Sequence, residues 1–274
     1  MQPSNEHGPD REQRRIDHHD AHAVLDLFRS VTARTTFLLA DNGDWSMAGR
    51  SESQYAVDIE IDRACLAMLH GAGFTVLSEE SGLTDPDGRR LDAAEDALVV
   101  VDPLDGSTNA SLGLPWCATA LCLVLDGVPT VAHVANLRTG TRFEAIRGSG
   151  ATRDGRPIHV AAPVALVDAV IGVNARPPDG FRPRQHRGMG ATALDITSVA
   201  TSGAVGGFDG TIDFDDDMIG VWDYLASVLI LEEAGGVAAD VLDRDLTTTD
   251  HAARRRPVTA TSVGLLDELL AAAN

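Results

Sequence analysis

Apolar residues recur at helical spacing in two stretches near the start of the chain. In residues 16 to about 40, Val24, Phe28 and Val31 stand three and four positions apart, which is the spacing of one face of an α-helix. The same spacing predicts a second helix over residues 55–71, where a glycine stands at the C-terminal end. The first part of the chain is therefore expected to be helical.

Short apolar runs follow, and they favour β-strands. Residues 97–101 (Ala-Leu-Val-Val-Val) are rich in β-branched side chains, which is typical of a strand buried on both faces. Asp-Gly and Thr-Gly dipeptides separate the three runs after it, so these runs are expected to form a meander in an antiparallel or mixed sheet. The strands predicted in this region are residues 74–77, 97–101, 118–125, 128–136 and 142–146.

The later part of the chain alternates between apolar runs and helical spacing. A turn-rich stretch at 148–157 is the candidate boundary between two halves, about 16–155 and 156–274, of a single domain. Alternating strands and helices predict a layered α/β fold with mixed sheets. The elements predicted here are strands at 168–173, 207–212, 237–240 and 258–260 and helices at 192–202, 223–233 and 265–273.

The charge balance excludes several classes of protein. The chain has 22 Lys+Arg against 41 Asp+Glu, a net charge of −19, and all of its cations are arginines. Such acidity argues against nucleic-acid partners and against polybasic membrane binding, and no apolar run reaches the about 18 residues of a membrane span. The three cysteines lack metal-ligand spacing, and residues 1–15 are polar without a signal-peptide core. We therefore expect a cytoplasmic protein with a disordered tail at 1–15.

Carboxylates cluster where the predicted strands end. Glu79 and Glu80 follow the strand at 74–77, Asp102 and Asp105 follow the β-branched strand, and Asp223 opens a predicted helix. Side chains on loops at strand ends are held by a rigid scaffold, which is a usual place for a functional site.

The segment at 102–108 (Asp-Pro-Leu-Asp-Gly-Ser-Thr) combines a candidate cation site with a candidate phosphate site. Asp102 and Asp105 flank a rigid proline and can converge on one ion, and the Leu104 carbonyl can supply another oxygen. Such ligands suit Mg²⁺ rather than zinc. Residues 106–108 can begin a helix, whose first amides bind phosphate well. A simple Asp-Pro turn would explain the tetrapeptide alone, but the strand before it and the Glu79-Glu80 pair favour the functional interpretation.

Three motifs resemble the inositol monophosphatase family of Mg²⁺-dependent phosphatases. They are residues 101–109 (Val-Asp-Pro-Leu-Asp-Gly-Ser-Thr-Asn), 78–81 (Ser-Glu-Glu-Ser) and 221–226 (Val-Trp-Asp-Tyr-Leu-Ala), the last followed by Glu-Ala-Gly-Gly at 233–236. Their order and spacing match the family pattern over nearly the whole chain. The resemblance implies an α-β-α-β-α layered fold, as in sugar phosphatases, and a homodimer.

The resemblance also implies two or three Mg²⁺ ions, with Mn²⁺ as an alternative. The implied ligands are Glu79, Asp102 and the Leu104 carbonyl for the first ion, Asp102, Asp105 and Asp223 for the second, and Asp58 and Glu80 beside Glu79 for a weaker third. Divalent ions of this kind can activate water and neutralise charge on a transferring phosphoryl group without a covalent nucleophile.

The same resemblance assigns catalytic and phosphate-binding roles. Glu79 and Ser107 would orient the attacking water, with serine standing where the family usually has threonine, and Asp105 would complete the catalytic set. The amides of Gly106, Ser107 and Thr108 would bind phosphate.

The substrate end matches the family less closely. Arg187, Gly190 and Thr192 correspond to a segment that faces substrate hydroxyls, and Asp216 stands where inositol phosphatases tend to have a hydroxyl-binding glutamate. The family commonly has a lysine before the Asp58 position, whereas the nearest cation before Asp58 in this chain is Arg50.

The favoured function is hydrolysis of a small polyol, sugar or nucleoside phosphate, with inositol phosphate as the default substrate. Alternatives within the class are fructose 1,6-bisphosphate, histidinol phosphate and a 3′-phosphonucleotide. Two alternatives lie outside this enzyme class. One is a non-catalytic homologue that binds a phosphorylated metabolite, and the other is a structural calcium-binding protein. Retention of Glu79, Asp102, Asp105 and Asp223 speaks against the pure binder, which need not keep all four.

Overall fold

The computed structural model describes residues 17–41, 45–47, 55–93, 96–215 and 218–273. The predicted tail at 1–15, Arg50 and Asp216 lie outside the described residues. The helices of the described part are α1 Ala21–Asp41, α2 Ala56–Gly71, α3 Ser107–Ser111, α4 Thr192–Ala200, α5 Val221–Glu233 and α6 Val263–Ala273.

The strands form two sheets. The first has the order β2-β1-β3-β4-β5-β6-β7-β8 and is antiparallel except for the parallel pair β1 and β3. The second has the order β10-β9-β11-β13-β12 and is mixed. The strands are β1 Thr75–Ser78, β2 Gly82–Thr84, β3 Ala97–Asp105, β4 Ala118–Leu125, β5 Val128–Asn136, β6 Arg142–Ile146, β7 Ala151–Arg153, β8 Arg156–Pro157, β9 Val170–Asn174, β10 Gln185–Arg187, β11 Gly210–Asp213, β12 Val237–Asp240 and β13 Pro257–Ala260.

Helices and sheets alternate in five layers. Helices α1 and α2 cover one face of the first sheet, α4 and α5 lie between the two sheets, and α6 covers the outer face of the second. The predicted α/β fold with α-β-α-β-α layers is therefore confirmed.

The buried β3 strand explains how the layers are held together. Leu98 and Val100 pack into the core beneath α4 and α5, whereas Val99 and Val101 pack into the core beneath α1 and α2. Because successive side chains of a strand point to opposite faces, a strand covered on both faces needs apolar residues at every position. This is the reason for the unbroken apolar run in the sequence.

Helix α1 begins five residues later than predicted. The Asp20 carboxylate accepts hydrogen bonds from the backbone amides of His22 and Ala23, at 3.1 and 3.0 Å. An aspartate that accepts from the amides two and three residues ahead marks the start of a helix. The helical spacing before Asp20 therefore does not extend the described helix.

Four short strands were not predicted. β7 and β8 lie in the turn-rich stretch at 148–157 and extend the first sheet to its edge, β10 lies in the glycine- and proline-rich loop before α4, and β2 pairs with β1. Each has only two or three residues, which is too short for an alternating pattern to be recognised.

All three cysteines are free and buried. Cys117 and Cys122 pack among apolar side chains on opposite faces of the first sheet, as expected for core residues. Among the described helices, none combines the length and the hydropathy that a membrane crossing requires.

Candidate active site

A β-bulge shapes the segment at 102–108. Asp102 pairs with Ala120 of β4 and Asp105 pairs with Ala118, so three steps along β3 match two steps along its partner. Residues three apart in a regular strand point to opposite faces, and one extra residue corrects this. The bulge thereby brings the two carboxylates to the same side, at the end of the strand.

Three carboxylates converge at this point. Ligand oxygens of Asp102, Asp105 and Asp223 all lie within 4.8 Å of one another. Asp223 comes from the first turn of α5, which starts beside the bulge. The predicted cluster is therefore brought together from two elements that are far apart in the sequence.

Backbone amides hold each of these carboxylates in place. Asp102 Oδ1 accepts from Leu104 N at 2.9 Å, Asp105 Oδ2 accepts from Ala193 N at 2.7 Å, and Asp223 Oδ2 accepts from Gly220 N at 2.8 Å. Ala193 lies in the first turn of α4, so the positive ends of α4 and α5 both face the cluster. These contacts orient the carboxylates but leave their charge largely uncompensated.

The pKa values of the cluster record that excess charge. Burial, together with the charges of Asp195 and Glu79, raises the pKa of Asp105 to about 8, despite the amide bond from Ala193. Burial and then the charge of Asp105 raise the pKa of Asp223 to about 8 as well. The pKa of Asp102 is raised by its burial and then by the charges of Glu79 and Asp105. A cation would relieve this repulsion.

Glu79 and Glu80 lie on the turn between β1 and β2, beside the cluster. Desolvation by neighbouring protein atoms and then the charges of Asp223 and Asp58 raise the pKa of Glu79, although the residue as a whole is exposed. Loss of solvent and then the charge of Glu79 raise the pKa of Glu80 to about 8. Both predicted ligands are therefore within electrostatic reach of the other acids.

Asp58 offers a buried oxygen with no hydrogen-bond partner among the described residues. Its Oδ2 accepts from the amide of Tyr55 at 2.8 Å at the start of α2, but its Oδ1 is orphaned. Burial raises the pKa of Asp58 to about 6. An unpaired buried carboxylate oxygen is costly unless a cation or a proton satisfies it.

The donor set fits divalent magnesium. The converging groups are carboxylates, which are the hard oxygen ligands that Mg²⁺ takes, and Asp58 Oδ1 still lacks a partner. Leu104 is buried at the bulge, and its amide is turned toward Asp102. An acidic cluster that could bind a metal ion is therefore present, as predicted.

The predicted phosphate segment begins α3. Gly106 precedes the helix with φ of 78°, and Ser107 is the first helical residue. Asn109 ties this helix to the segment before α4, because its Nδ2 donates to Met189 O at 2.7 Å and to Trp116 O at 2.8 Å. The predicted phosphate segment, residues 106–108, therefore forms the start of a helix directly after Asp105.

Gly106→Ala is expected to lower the stability of the protein more than Gly113→Ala does. A Cβ at Gly106 would come within 3.0 Å of both Ala191 Cβ and Trp116 O, in a left-handed conformation. Gly113 has a similar φ of 73° with no atom within 4 Å of an added Cβ. Conformation alone costs about 1–2 kcal/mol in either variant, so urea unfolding should show a larger stability loss for Gly106→Ala. Equal losses would contradict the close approach of Ala191 and Trp116 to Gly106.

The substrate-end residues are only partly brought together. Gly190 and Thr192 lie close to the cluster, because Gly190 O is 3.2 Å from Asn109 Nδ2 and the Thr192 amide contributes to holding Asp105. Arg187 is exposed on β10, where its guanidinium donates to His186 O at 2.6 Å.

The sequence pattern missed two supports of the site. Trp116 Nε1 donates at 2.8 Å to the buried carboxylate of Asp195, which faces the cluster. His251 stacks on Trp222 at 4.8 Å between ring centroids, and its Nε2 lies 3.0 Å from Glu79 O. A carbonyl oxygen only accepts, so this nitrogen carries the proton. The polar stretch that holds His251 has no periodicity that could have indicated this contact.

Comparison with known proteins agrees with this geometry. The family model described as the inositol monophosphatase family matches residues 46–273. The chain belongs to the inositol monophosphatase family. The resemblance inferred from the three motifs is therefore confirmed.

Individual members of the inositol monophosphatase family align as follows. The Mycobacterium tuberculosis protein named "Probable inositol 1-monophosphatase ImpA" is 30% identical over 257 residues, which is 86% of this chain and 88% of that protein. The Mesembryanthemum crystallinum inositol monophosphatase is 33% identical over 165 residues, 55% of this chain and 59% of that protein. These relatives are phosphoric monoester hydrolases by name, so the predicted enzyme class is confirmed.

One solved structure has a similar fold over nearly the whole chain. It is a Pyrococcus horikoshii protein described as having similarities to inositol-1 monophosphatase. It is 25% identical, has a TM-score of 0.77, and the match covers 92% of this chain and 96% of that one. The fold of the inositol monophosphatase family therefore extends over the described layers.

Proposed function

We propose that this chain is a Mg²⁺-dependent phosphomonoesterase that hydrolyses a small polyol, sugar or nucleoside phosphate with the help of two ions. The convergence of Asp102, Asp105 and Asp223 within 4.8 Å carries the proposal. Asp102 and Asp105 are buried and Asp223 is half-buried, and such a cluster with raised pKa values is unfavourable when ionised unless a cation or a proton offsets its charge. The orphaned Asp58 Oδ1 is a second support, because it extends the oxygen-rich surface toward Glu79.

The proposed ligand sets follow the positions of the carboxylates. Glu79, Asp102 and the Leu104 carbonyl would hold one ion, while Asp102, Asp105 and Asp223 would hold the other. Bound Mg²⁺ would supply an activated water and would offset charge on the transferring phosphoryl group. Asp58 and Glu80 would serve a third, weaker ion.

The protein groups would orient the reacting partners. Glu79 is exposed, so water can reach its carboxylate, which would accept a proton from the attacking water, and the Ser107 hydroxyl would help to aim that water. The amides of Gly106, Ser107 and Thr108 lie at the start of α3, where backbone donors lack intrahelical acceptors. They would bind the phosphate oxygens and fix the scissile bond in line.

The substrate class is proposed from the relatives. Two of them are named for inositol monophosphate hydrolysis, which makes inositol phosphate the first substrate to test. Gly190 and Thr192 lie near the phosphate segment and would face the substrate, and Arg187 and Asp216 are further proposed contacts. Fructose 1,6-bisphosphate, histidinol phosphate and 3′-phosphonucleotides are the competing substrates.

A phosphate-release assay tests the function. At millimolar Mg²⁺, purified protein is expected to release phosphate from at least one ester of a panel that spans polyol, sugar and nucleoside phosphates. This release should stop when EDTA is added. Ser107→Thr should keep the activity because the hydroxyl is preserved, whereas Ser107→Ala should lose most of it. Folding is checked by circular dichroism for each variant.

The same assay decides between the alternatives. No release from any ester by folded protein would reject the enzyme and favour a non-catalytic homologue that binds a phosphorylated metabolite. Melting raised by Ca²⁺ without hydrolysis would favour a structural calcium-binding protein. Homodimerisation and a cytoplasmic location stay predictions, which gel filtration and fractionation can test.

A further inference from the structure

A buried carboxylate outside the proposed ligand set holds the turn that carries Glu79 and Glu80. Asp62 Oδ1 accepts a hydrogen bond from the Ser78 hydroxyl, and Asp62 Oδ2 accepts one from the Ser81 hydroxyl. The two serines stand immediately before and after the glutamates. Asp62 therefore clamps both ends of the turn with its two oxygens.

The clamp is anchored in rigid structure. Asp62 lies on α2 and is 4% exposed, and Ser78 is the fully buried last residue of β1. Asp62 is also four residues after Asp58, so the two carboxylates share one face of the helix. Helix α2 therefore positions both the Asp58 carboxylate and the turn that carries Glu79 and Glu80.

Asp62 is near enough to the glutamates to affect them electrostatically. Its charge is among the causes that raise the pKa of Glu79 and of Glu80, after loss of solvent and nearer acids. A group that only added negative charge would repel both glutamates from α2. The two serine bonds instead hold the turn to α2 against that repulsion.

We propose that Asp62 is a positioning residue for metal binding: through Ser78 and Ser81 it holds the Glu79–Glu80 turn in the geometry that a divalent ion needs. The metal part of this inference rests on the proposed function. Outer groups that orient metal ligands typically contribute 10–100-fold to metal affinity. If Asp62 only joined α2 to β1, its replacement would lower the stability of the protein. The variant molecules that remain folded would then bind the metal as tightly as the wild type does.

Asp62→Asn separates these two roles. An asparagine has an accepting oxygen at only one of the two positions and a donating amide at the other, so one of the two serine hydroxyls can no longer donate there and must reorient. We expect faster amide hydrogen exchange at residues 78–82 in the metal-free protein. We also expect Mg²⁺ affinity, measured by titration calorimetry with Mg²⁺ alone, to weaken by about 10-fold or more.

Three further variants control the test. Ser81→Ala removes one bond at a half-buried position and should weaken Mg²⁺ binding less than Asp62→Asn. Asp62→Glu keeps two accepting oxygens and should recover part of the affinity. Glu144→Gln changes a buried acid that is paired with Arg29 and His133, away from the cluster, and should lower stability with Mg²⁺ affinity unchanged.

The outcomes distinguish the two proposals. Unchanged Mg²⁺ affinity in folded Asp62→Asn, or an equal loss in Glu144→Gln, would overturn the positioning role. Unchanged hydrogen exchange at residues 78–82 would overturn the clamp itself. If wild-type protein binds Mg²⁺ but hydrolyses no ester, the enzymatic function fails while an affinity loss in Asp62→Asn still supports the clamp. If the wild type binds no Mg²⁺, both proposals are rejected.

Discussion

Asp105→Asn is expected to abolish phosphate release while leaving the protein folded and, without metal, more stable than the wild type. Its Oδ2 accepts from Ala193 N at 2.7 Å, and an asparagine oxygen can still accept that bond. The variant removes one of three carboxylate charges whose ligand oxygens lie within 4.8 Å of one another. Repulsion in the metal-free protein therefore falls, whereas the proposed second ion loses a charged ligand.

The expected loss of activity is about 10³-fold, the scale on which removal of one group that stabilises the transition state is felt. Phosphate release on the best ester and metal-free thermal melting measure the two effects. Asp267→Asn, an equal charge change on the exposed face of α6, should alter neither. Near-normal turnover by Asp105→Asn would show that Asp105 is not a ligand of the reaction centre.

Stability of the metal-free protein is expected to fall as the pH rises from about 5 to about 8. Unfolded aspartates titrate near pH 3.9, whereas the pKa of Asp105 and of Asp223 is about 8 in the folded protein. Between these values the folded state binds more protons than the unfolded state, so each pH increase favours unfolding. The stability that the protonated carboxyls provide is full below the unfolded pKa and is lost through pH 8.

Mg²⁺ should reverse this loss, because it takes the place of the protons. At a free concentration of one hundred times its dissociation constant, a ligand adds about 2.7 kcal/mol of stability. Melting curves at pH 5, 6.5 and 8, with EDTA or with Mg²⁺, measure both trends. Asp105→Asn should have a shallower pH slope than the wild type. A metal-free melting temperature that is flat or rising over this range would contradict the raised pKa values of Asp105 and Asp223.

The layers of the fold were predictable because burial in the core requires apolar residues at regular positions along each strand and helix. The β-branched run of β3 is buried on both faces, and the Asp-Gly turn between β4 and β5 has left-handed φ angles at Asp126 and Gly127. Burial and turn geometry restrict residue types strongly at these positions. The two-residue strand β8 and the three-residue β10 are held by neighbouring strands, which no local pattern records.

The carboxylates of the site were visible in the sequence, but their supports were not. Asp102 and Asp105 belong to a compact motif at a strand end, so their convergence could be expected. His251 reaches Glu79 O from a residue 172 positions later in the chain, and Asp62 acts through two serine hydroxyls. Such contacts depend on how the layers of the fold pack together. No local sequence pattern around these polar residues indicates them.

Asp105 and Asp223 are separated by 223 − 105 = 118 positions, yet their carboxylates meet at one point. An ion held by both would cross-link β3 of the first sheet to α5. Closing so long a loop restricts the unfolded chain in the way that a disulfide does, and this chain has only free cysteines. In ribosome-bound chains, this cross-link could form only after α5 has been synthesised. The metal would therefore stabilise the packing of α5 on the first sheet at a late stage, and it would not start the folding of that sheet.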